Sequence, residues 1–459
     1  GTEVFAFVPR AVMPNLHQLA RKNYNHLYYV DGPQVEADAC LSGGTSCTTW
    51  TNLLLGTTGA GAKSVYALDV TNPMSMSAAS VKWEITPSTT GYASLGHVLT
   101  DVQTGLTKSG QWVAIFGNGY YGSSTMASLY IANLDTGALI KQISTGVGGS
   151  NGLGGVRVVR DDNQRIIGAY AGDARGNMWK FDLSTATSAG WGLGLSNSPL
   201  YSGTTTKSIS AQPTVVAHPN GGNVIVFGTG KLYDTTDVTN TVTQTMYGIW
   251  DSVNFGSSTT PAGVTQTGVA SLVQQTISSI VTTGTKVVTA SNLSTSTVTV
   301  NYYTVSTYPV DFTTKRGWYM NLPNTGQRAV YPSEALVGGF VLLDTVSPSN
   351  VSLNPCVQTG SGRAWNYVID GVTGSGPTSA IFDTNGDGII NGSDLIVAGY
   401  ENTADGRTRI IKNESKSDAS GTYYNPLSTE QQPGFRILTP TVPAISGVIK
   451  RSWRQLFLR

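Results

Sequence analysis

Short apolar runs with little internal alternation recur along the chain, each carrying an aromatic residue and most closing on Asp. They read Glu3-Val-Phe-Ala-Phe7, Ser64-Val-Tyr-Ala-Leu-Asp69, Ser128-Leu-Tyr-Ile-Ala-Asn-Leu-Asp135, Asn177-Met-Trp-Lys-Phe-Asp182, Thr245-Met-Tyr-Gly-Ile-Trp-Asp251 and Arg363-Ala-Trp-Asn-Tyr-Val-Ile-Asp370. A second apolar run precedes most copies and ends in a Gly-rich turn: Leu53-Leu-Leu-Gly56, Val113–Gly119, Ile166–Gly172 and Val224–Gly230. A third, earlier run lies before these, as in Leu95–Val102, Val156–Val159 and Pro213–Val216. Runs of four to eight apolar residues bounded by turn residues predict strands buried on both faces, not helices.

Three or four short strands per unit, repeated, predict an all-β fold built of propeller blades. The repeated aromatics, Phe5, Tyr66, Tyr130, Trp179, Tyr247 and Trp365, are expected as wedges between neighbouring sheets. These runs are expected as the outer strands of their units, and the Asp that closes most of them is expected to accept hydrogen bonds from the next turn's backbone. The Gly-rich turns are expected to reverse the chain at positive φ. The unit closing at Asp370 is separated from its predecessor by an unusually long stretch, and residues 252–311, rich in Ser, Thr and Val, predict an inserted β-hairpin region within one domain spanning 1–459. The opening strand Glu3–Val8 and a terminal strand Gly447–Leu456 are expected to pair and close the ring, leaving no exposed edge.

Composition sharpens this picture. Charged residues make up only 12% of the chain, against about a quarter in ordinary domains, and there are 54 glycines. A turn-rich chain so poor in charge reads as an extracytoplasmic β-protein. The net charge is +1, with no basic stripe, so no nucleic-acid partner is expected. No run of apolar residues is long enough for a transmembrane helix. The chain opens at Gly1 without a leader, which reads as a mature chain or an excised piece. Of the three cysteines, Cys40 and Cys47 bracket a short loop and are expected to form a disulfide, while Cys356 stands alone. The four histidines are scattered, so no Cys/His zinc site is expected.

One stretch carries specific chemistry. Asp383-Thr-Asn-Gly-Asp-Gly-Ile-Ile-Asn-Gly-Ser-Asp394 follows the spacing of a 12-residue, EF-hand-like calcium loop. Calcium takes six to eight hard oxygen ligands, and alternate residues of a tight loop turn their oxygens to one centre. Asp383, Asn385 and Asp387 would supply side-chain oxygens, Ile389 its carbonyl, Asn391 a direct or water-mediated contact, and Asp394 the closing carboxylate, bidentate if it reaches. Gly388 permits the bend. Ala380–Phe382 is expected as an entering strand and Leu395–Ala398 as a short helical turn.

Three segments together resemble the C-terminal domain of the PilC/PilY family: Gly61-Ala-Lys-Ser-Val-Tyr-Ala-Leu-Asp-Val-Thr71, Tyr170-Ala-Gly-Asp-Ala-Arg-Gly-Asn-Met-Trp-Lys-Phe-Asp-Leu183 and Val226-Phe-Gly-Thr-Gly-Lys-Leu-Tyr-Asp234. Glu3–Pro9 and Ser452–Gln455 look like that domain's ends. The resemblance implies a modified seven-bladed, quinoprotein-like β-propeller on a secreted protein. Such proteins sit at the tip or surface of type IV pili and support pilus biogenesis, extension, adhesion and twitching motility. It also implies minor pilins and a host-cell or abiotic surface receptor as partners, and a calcium switch on pilus behaviour. The chain departs from the family where an Asp-rich loop often precedes the Ala-Gly-Asp motif: Arg160-Asp-Asp-Asn-Gln-Arg-Ile-Ile-Gly168 lacks the loop glycine and is not expected to bind calcium. Arg-Gly-Asp is absent.

An enzyme is not expected, because no nucleophile elbow, zinc-protease helix or phosphate loop occurs. The alternatives are a quinone-dependent dehydrogenase on a similar propeller, which would bind its cofactor on the axis, and a generic extracellular scaffold.

Overall fold

Five mainly antiparallel sheets, laid down one after another, account for most of the described residues in the computed structural model. It describes residues 3–41, 47, 49–289, 295–348, 362–385, 389–402, 410–418, 421–426 and 435–438. The first sheet is a meander of Gln34–Ala39, Thr51–Thr57, Val65–Asp69 and Val81–Ile85. The second repeats it with Gln103–Leu106, Trp112–Gly117, Ser128–Asn133 and Leu139–Ser144. The third opens with Leu153–Arg160, Ile166–Asp173 and Met178–Asp182, and the fourth with Thr214–Ala217, Asn223–Gly228, Thr245–Asp251 and Gly317–Asn321. The fifth runs Glu334–Ala335, Phe340–Ser347, Arg363–Asp370 and Gly399–Asn402. A separate three-stranded sheet, Ile410–Asp418, Gly421–Pro426 and Phe435–Leu438, follows. The opening strands of the second to fifth sheets neighbour one another in chain order, the radial arrangement of propeller blades.

Five of the six repeated aromatic runs, all but Glu3–Phe7, are the third strand of their sheet, not the outermost; Val81–Ile85 and Leu139–Ser144 lie outside it in the first two sheets. Tyr66, Tyr130, Trp179, Tyr247 and Trp365 are all buried there. Tyr130 packs on Tyr92 and Phe116 at 5.0 and 5.8 Å, and Trp179 joins a core shared by the second and third sheets. The acceptor role of the following Asp is borne out in four copies. Asp69, Asp182, Asp251 and Asp370 accept the amides of Thr71, Ser184, Val253 and Val372 at 2.9–3.0 Å. In the second sheet Asn133 takes over, accepting the amides of Asp135 and Thr136, which frees Asp135 to pair with Lys82.

The glycines of these turns divide into two kinds. Gly117 and Gly228 stay in their strands, where a Cβ would stand 2.4 Å from the Leu153 carbonyl oxygen and 2.3 Å from the Ala329 side chain. The chain reverses at positive φ, as expected of these turns, at Gly119 (φ +66°) and Gly230 (φ +134°). The first kind is required for space and the second for backbone conformation.

Residues 252–311 serve three sheets. Gln266–Thr267 joins the third in parallel with Tyr201–Ser202, and Val273–Gln274 edges the fourth beside Trp318 and Tyr319. Ile277–Thr289 and Thr295–Val305 then form a long antiparallel hairpin, anchored to the fifth sheet where Tyr302 and Tyr303 pair with Tyr400 and Gly399.

The N-terminal expectation is corrected. Glu3–Val8 forms no strand in the structure, and its proposed partner, residues 447–456, lies outside the described residues. The chain there turns into a 3-10 helix, Arg10–Ala20. The Glu84 carboxylate caps it, accepting the amides of Arg10 and Ala11 at 2.8 and 3.0 Å, while Phe7 packs on Tyr66. Capping and packing of this kind hold the segment without a ladder.

Cys40 and Cys47 are disulfide-bonded, with Cα atoms 5.8 Å apart. Cys356 lies outside the described residues. Mass spectrometry of non-reduced peptides is expected to recover Cys40 and Cys47 as one cross-linked species. Cys47→Ser is expected to lower stability by about 2–3 kcal/mol, the loop-closure entropy of so short a ring. Two free thiols in the folded protein would refute the pairing.

Candidate metal centre

The candidate loop is slung between two apolar anchors. Ile381 and Phe382 on one side, and Val397 on the other, sink into a cluster with Tyr302, Leu342, Val368 and Tyr400. Phe382 meets Tyr400 edge-on at 5.6 Å. The Ala398 amide donates to the Tyr303 carbonyl, and Val368 donates to the Ala398 carbonyl, at 2.8 and 2.7 Å. Leu395–Ala398 is therefore not the expected helical turn; its end is tied into the fifth sheet as an edge. Ala380–Phe382 contributes only an isolated bridge at Phe382 rather than a strand.

Between the anchors the loop ends are brought together by Asp394, which is only 7% exposed. Its Oδ1 accepts the Thr384 amide at 2.7 Å, the Thr384 hydroxyl at 3.2 Å and the Asn385 amide at 3.3 Å. Its Oδ2 accepts the Asn391 amide at 2.9 Å. Thr384 Oγ1 in turn accepts the Leu395 amide at 2.8 Å. Asn391 Oδ1 accepts both the amide and the hydroxyl of Ser393 at 2.7 Å, and Asn385 Nδ2 donates to the same Ser393 hydroxyl at 3.0 Å. Thr384 and Ser393 thus organise the loop, although neither holds a ligand position in the spacing; their signal was the side-chain-to-backbone hydrogen bonding typical of Ser and Thr in turns.

Among the described residues, Asp394 Oδ1 thus takes three donors and Oδ2 one. Asp383, Asn385, Ile389 and Asn391 lie in the same turn as Asp394, whereas Asp387, Gly386 and Gly388 lie outside the described residues. Among the described residues no three His, Cys, Asp or Glu side chains cluster. Asp383 and Asp394 are the two carboxylates of the set that can be placed, and the remaining placed donors are amide and carbonyl oxygens. Such an all-oxygen set suits a hard cation. The negative field is felt outside the loop: burial, then the charges of Asp383 and Asp394, push the Tyr302 phenol up to about 12.

The stretch near Asp161 is used differently. Asp161 Oδ1 accepts the amides of Asn163 and Arg165 at 3.0 and 2.9 Å, and Gln164 takes φ +63°. These bonds build the tight turn between the first two strands of the third sheet.

Comparison with known proteins places the whole. Residues 5–287 match the PilY1 beta-propeller domain family. A type IV pilus biogenesis factor PilY1 homolog of Xylella fastidiosa is 34% identical over 400 residues, covering 82% of this chain and 25% of that protein. The type IV pilus biogenesis factor PilY1 of Pseudomonas aeruginosa is 30% identical over 455 residues, covering 90% of this chain and 37% of the relative. The chain therefore spans between a quarter and two fifths of the length of these relatives. The crystal structure of the Pseudomonas aeruginosa PilY1 C-terminal domain superposes with a TM-score of 0.76 at 27% identity, over 96% of this chain and 89% of that one. Matched along most of its length in both sequence and fold, the chain belongs to the PilY1 β-propeller family.

Proposed function

We propose that this chain is the calcium-binding propeller of a type IV pilus biogenesis factor, a non-enzymatic protein carried outside the cell at the pilus tip. There it supports pilus extension, adhesion and twitching motility, with minor pilins and a host-cell or abiotic surface as its partners. The observation that carries this reading is the likeness, over 82–90% of this chain, to relatives named as type IV pilus biogenesis factors, at 30–34% identity. Among the described residues no helix is long and apolar enough to cross a membrane.

Calcium is assigned to Asp383, Asn385, Asp387, the Ile389 carbonyl, Asn391 and Asp394. The anchors Phe382 and Val397 connect that loop to the fifth sheet, so binding would stiffen the junction between the sheet and the hairpin carrying Tyr302. Calorimetry is expected to show one calcium site in the range of extracellular modules, about 0.1–1 mM. Asp387→Ala is expected to abolish it. Calcium is also expected to lower the Tyr302 phenol from about 12, by offsetting the charge of Asp383 and Asp394, in a near-ultraviolet titration. Equal binding by wild type and Asp387→Ala, or none at millimolar calcium, would refute the site. A pull-down of purified minor pilins with and without calcium tests the pilus reading separately.

A further inference from the structure

Four separate loops meet at a small aromatic corner that the calcium reading does not use. Ala60 comes from the turn between the second and third strands of the first sheet, and His97 and Leu99 from the connection between the first and second sheets. Tyr120 and Tyr121 come from the corresponding turn of the second sheet, and Tyr233 from that of the fourth. Together they line a cavity of about 120 Å³.

The corner is built rigidly. Tyr120 stacks on Tyr233 at 4.1 Å, and Tyr121 stands perpendicular to Tyr233 at 6.0 Å and 88°. His97 and Tyr120 exchange backbone hydrogen bonds at 2.7 and 3.0 Å. The His97 ring meets the Gly59 carbonyl through Nδ1 at 2.9 Å; a carbonyl only accepts, so Nδ1 carries the proton and Nε2 is left as an acceptor.

Tyr121 is the unusual member. It holds φ +59°, a left-handed conformation that disfavours a bulky side chain, and its ring is 55% exposed. Both of its ends are tied: its hydroxyl donates to Asp234 Oδ2 at 2.8 Å, and its carbonyl accepts from Lys63 Nζ at 2.5 Å. Local strain that surrounding contacts enforce, and that displays an aromatic face to solvent, is characteristic of a ligand platform. Asp234 stays ionised far into acid, at about 2, because it accepts the Thr236 amide, the Tyr121 hydroxyl and the Thr236 hydroxyl.

The charges decide the class of ligand. Lys63, Lys231 and Arg328 balance Asp31, Asp234 and Asp237: Lys231 lies 3.0 Å from Asp237 and over the Tyr233 ring at 4.8 Å, Arg328 donates to the Lys231 and Asp237 carbonyls, and Asp31 accepts the Ala60 amide. With those charges matched, nothing in the corner selects an ion. What it offers is a fixed aromatic face, a small pocket floored by Ala60 and Leu99, and hydrogen-bond acceptors on Asp234 and His97. We propose that this corner is a saccharide-binding site, in which the C–H face of a pyranose stacks on Tyr121, an apolar ring substituent enters the cavity, and sugar hydroxyls donate to Asp234 and His97. The site stands apart from the calcium loop and from the pilus reading, and it survives the failure of either.

The test uses the purified 459-residue chain, titrated with the methyl glycosides of glucose, galactose, mannose and N-acetylglucosamine and followed by ligand-detected NMR and tyrosine fluorescence. At least one glycoside is expected to bind in the millimolar range. Tyr121→Gly is expected to weaken it about tenfold or more. The thermal midpoint is expected to stay near wild type, since glycine accepts φ +59° without strain. Tyr121→Phe, which keeps the ring, is expected to retain most of the affinity. Leu99→Phe, which fills the cavity and leaves the strained backbone alone, is expected to lose it. Absence of binding by all four glycosides at tens of millimolar would overturn the proposal. So would affinity unchanged from wild type in both Tyr121→Gly and Leu99→Phe, or binding of choline in place of any glycoside.

Discussion

Asp251→Asn is expected to destabilise the protein by about 3–5 kcal/mol, the cost of leaving a buried ammonium without its counter-charge. Asp251 closes the third strand of the fourth sheet and is fully buried, and Lys180, from the third strand of the third sheet, is 1% exposed. Lys180 Nζ lies 2.8 Å from Asp251 Oδ2, and the Tyr170 hydroxyl donates to the same oxygen at 2.6 Å. Nζ also donates to the Val253 carbonyl at 2.5 Å and sits 4.4 Å over the Phe255 ring. The pair is thus a polar rivet between two neighbouring sheets, surrounded by aromatic walls that exclude water. An ion pair in such a place gains little over a well-packed apolar substitute, so its removal and its replacement should differ sharply. The double variant Lys180→Met, Asp251→Leu is expected to cost clearly less than Asp251→Asn alone. Denaturant midpoints and slopes of the three proteins supply the comparison. A loss below about 1 kcal/mol for Asp251→Asn would show that Lys180 finds solvent in the folded state.

The legible part of this fold was the part written in local pattern. Doubly buried strands read as unbroken apolar runs, and the Asp at the end of four of them announced its hydrogen bonds to the next turn. The order of strands within a sheet was less legible. Nothing local separates a third strand from a fourth, and Val81–Ile85 carries no repeated motif, which placed the aromatic run one strand too far out. Residues 252–311 illustrate a second limit. Two-residue strands such as Gln266–Thr267 and Val273–Gln274 have no periodicity to read, yet they tie that segment to two different sheets. At the candidate metal centre the spacing of Asp and Asn was visible, because alternation in a tight turn dictates it. The clasp by Asp394 was not, because it depends on where the Thr384 and Asn391 amides point after the anchors have docked. The tyrosine corner was hidden for a related reason: four loops distant in sequence supply it, and only closure of the sheets brings them together.

Asp173→Asn is expected to be the second severe substitution, again at about 3–5 kcal/mol. It tests why the Ala-Gly-Asp-Ala-Arg-Gly-Asn stretch has its form. Asp173 is fully buried, and its two oxygens collect five donors. Oδ1 accepts the amides of Arg175 and Asn177, both at 2.9 Å. Oδ2 accepts Asn151 Nδ2 at 3.0 Å, with Asn177 Nδ2 and Trp179 Nε1 at 2.9 Å. The carboxylate closes the hairpin into the third strand and also pins Trp179, the wedge of its sheet, so turn and core share one acceptor. An asparagine has a single acceptor oxygen. Whichever way its amide is turned, two or three N–H groups then face another N–H, and each loses a charge-assisted bond worth about 1.5–3 kcal/mol. Asp69→Asn supplies the contrast, because among the described residues the Asp69 carboxylate accepts one amide, that of Thr71, at 3.0 Å in an exposed turn, and its replacement is expected to cost under about 1 kcal/mol. Hydrogen exchange at the Arg175 and Asn177 amides should report the same difference locally, with protection lost in Asp173→Asn and kept in Asp69→Asn. If Asp173→Asn unfolds at the same denaturant concentration as wild type, the five-donor arrangement does not hold the third sheet together.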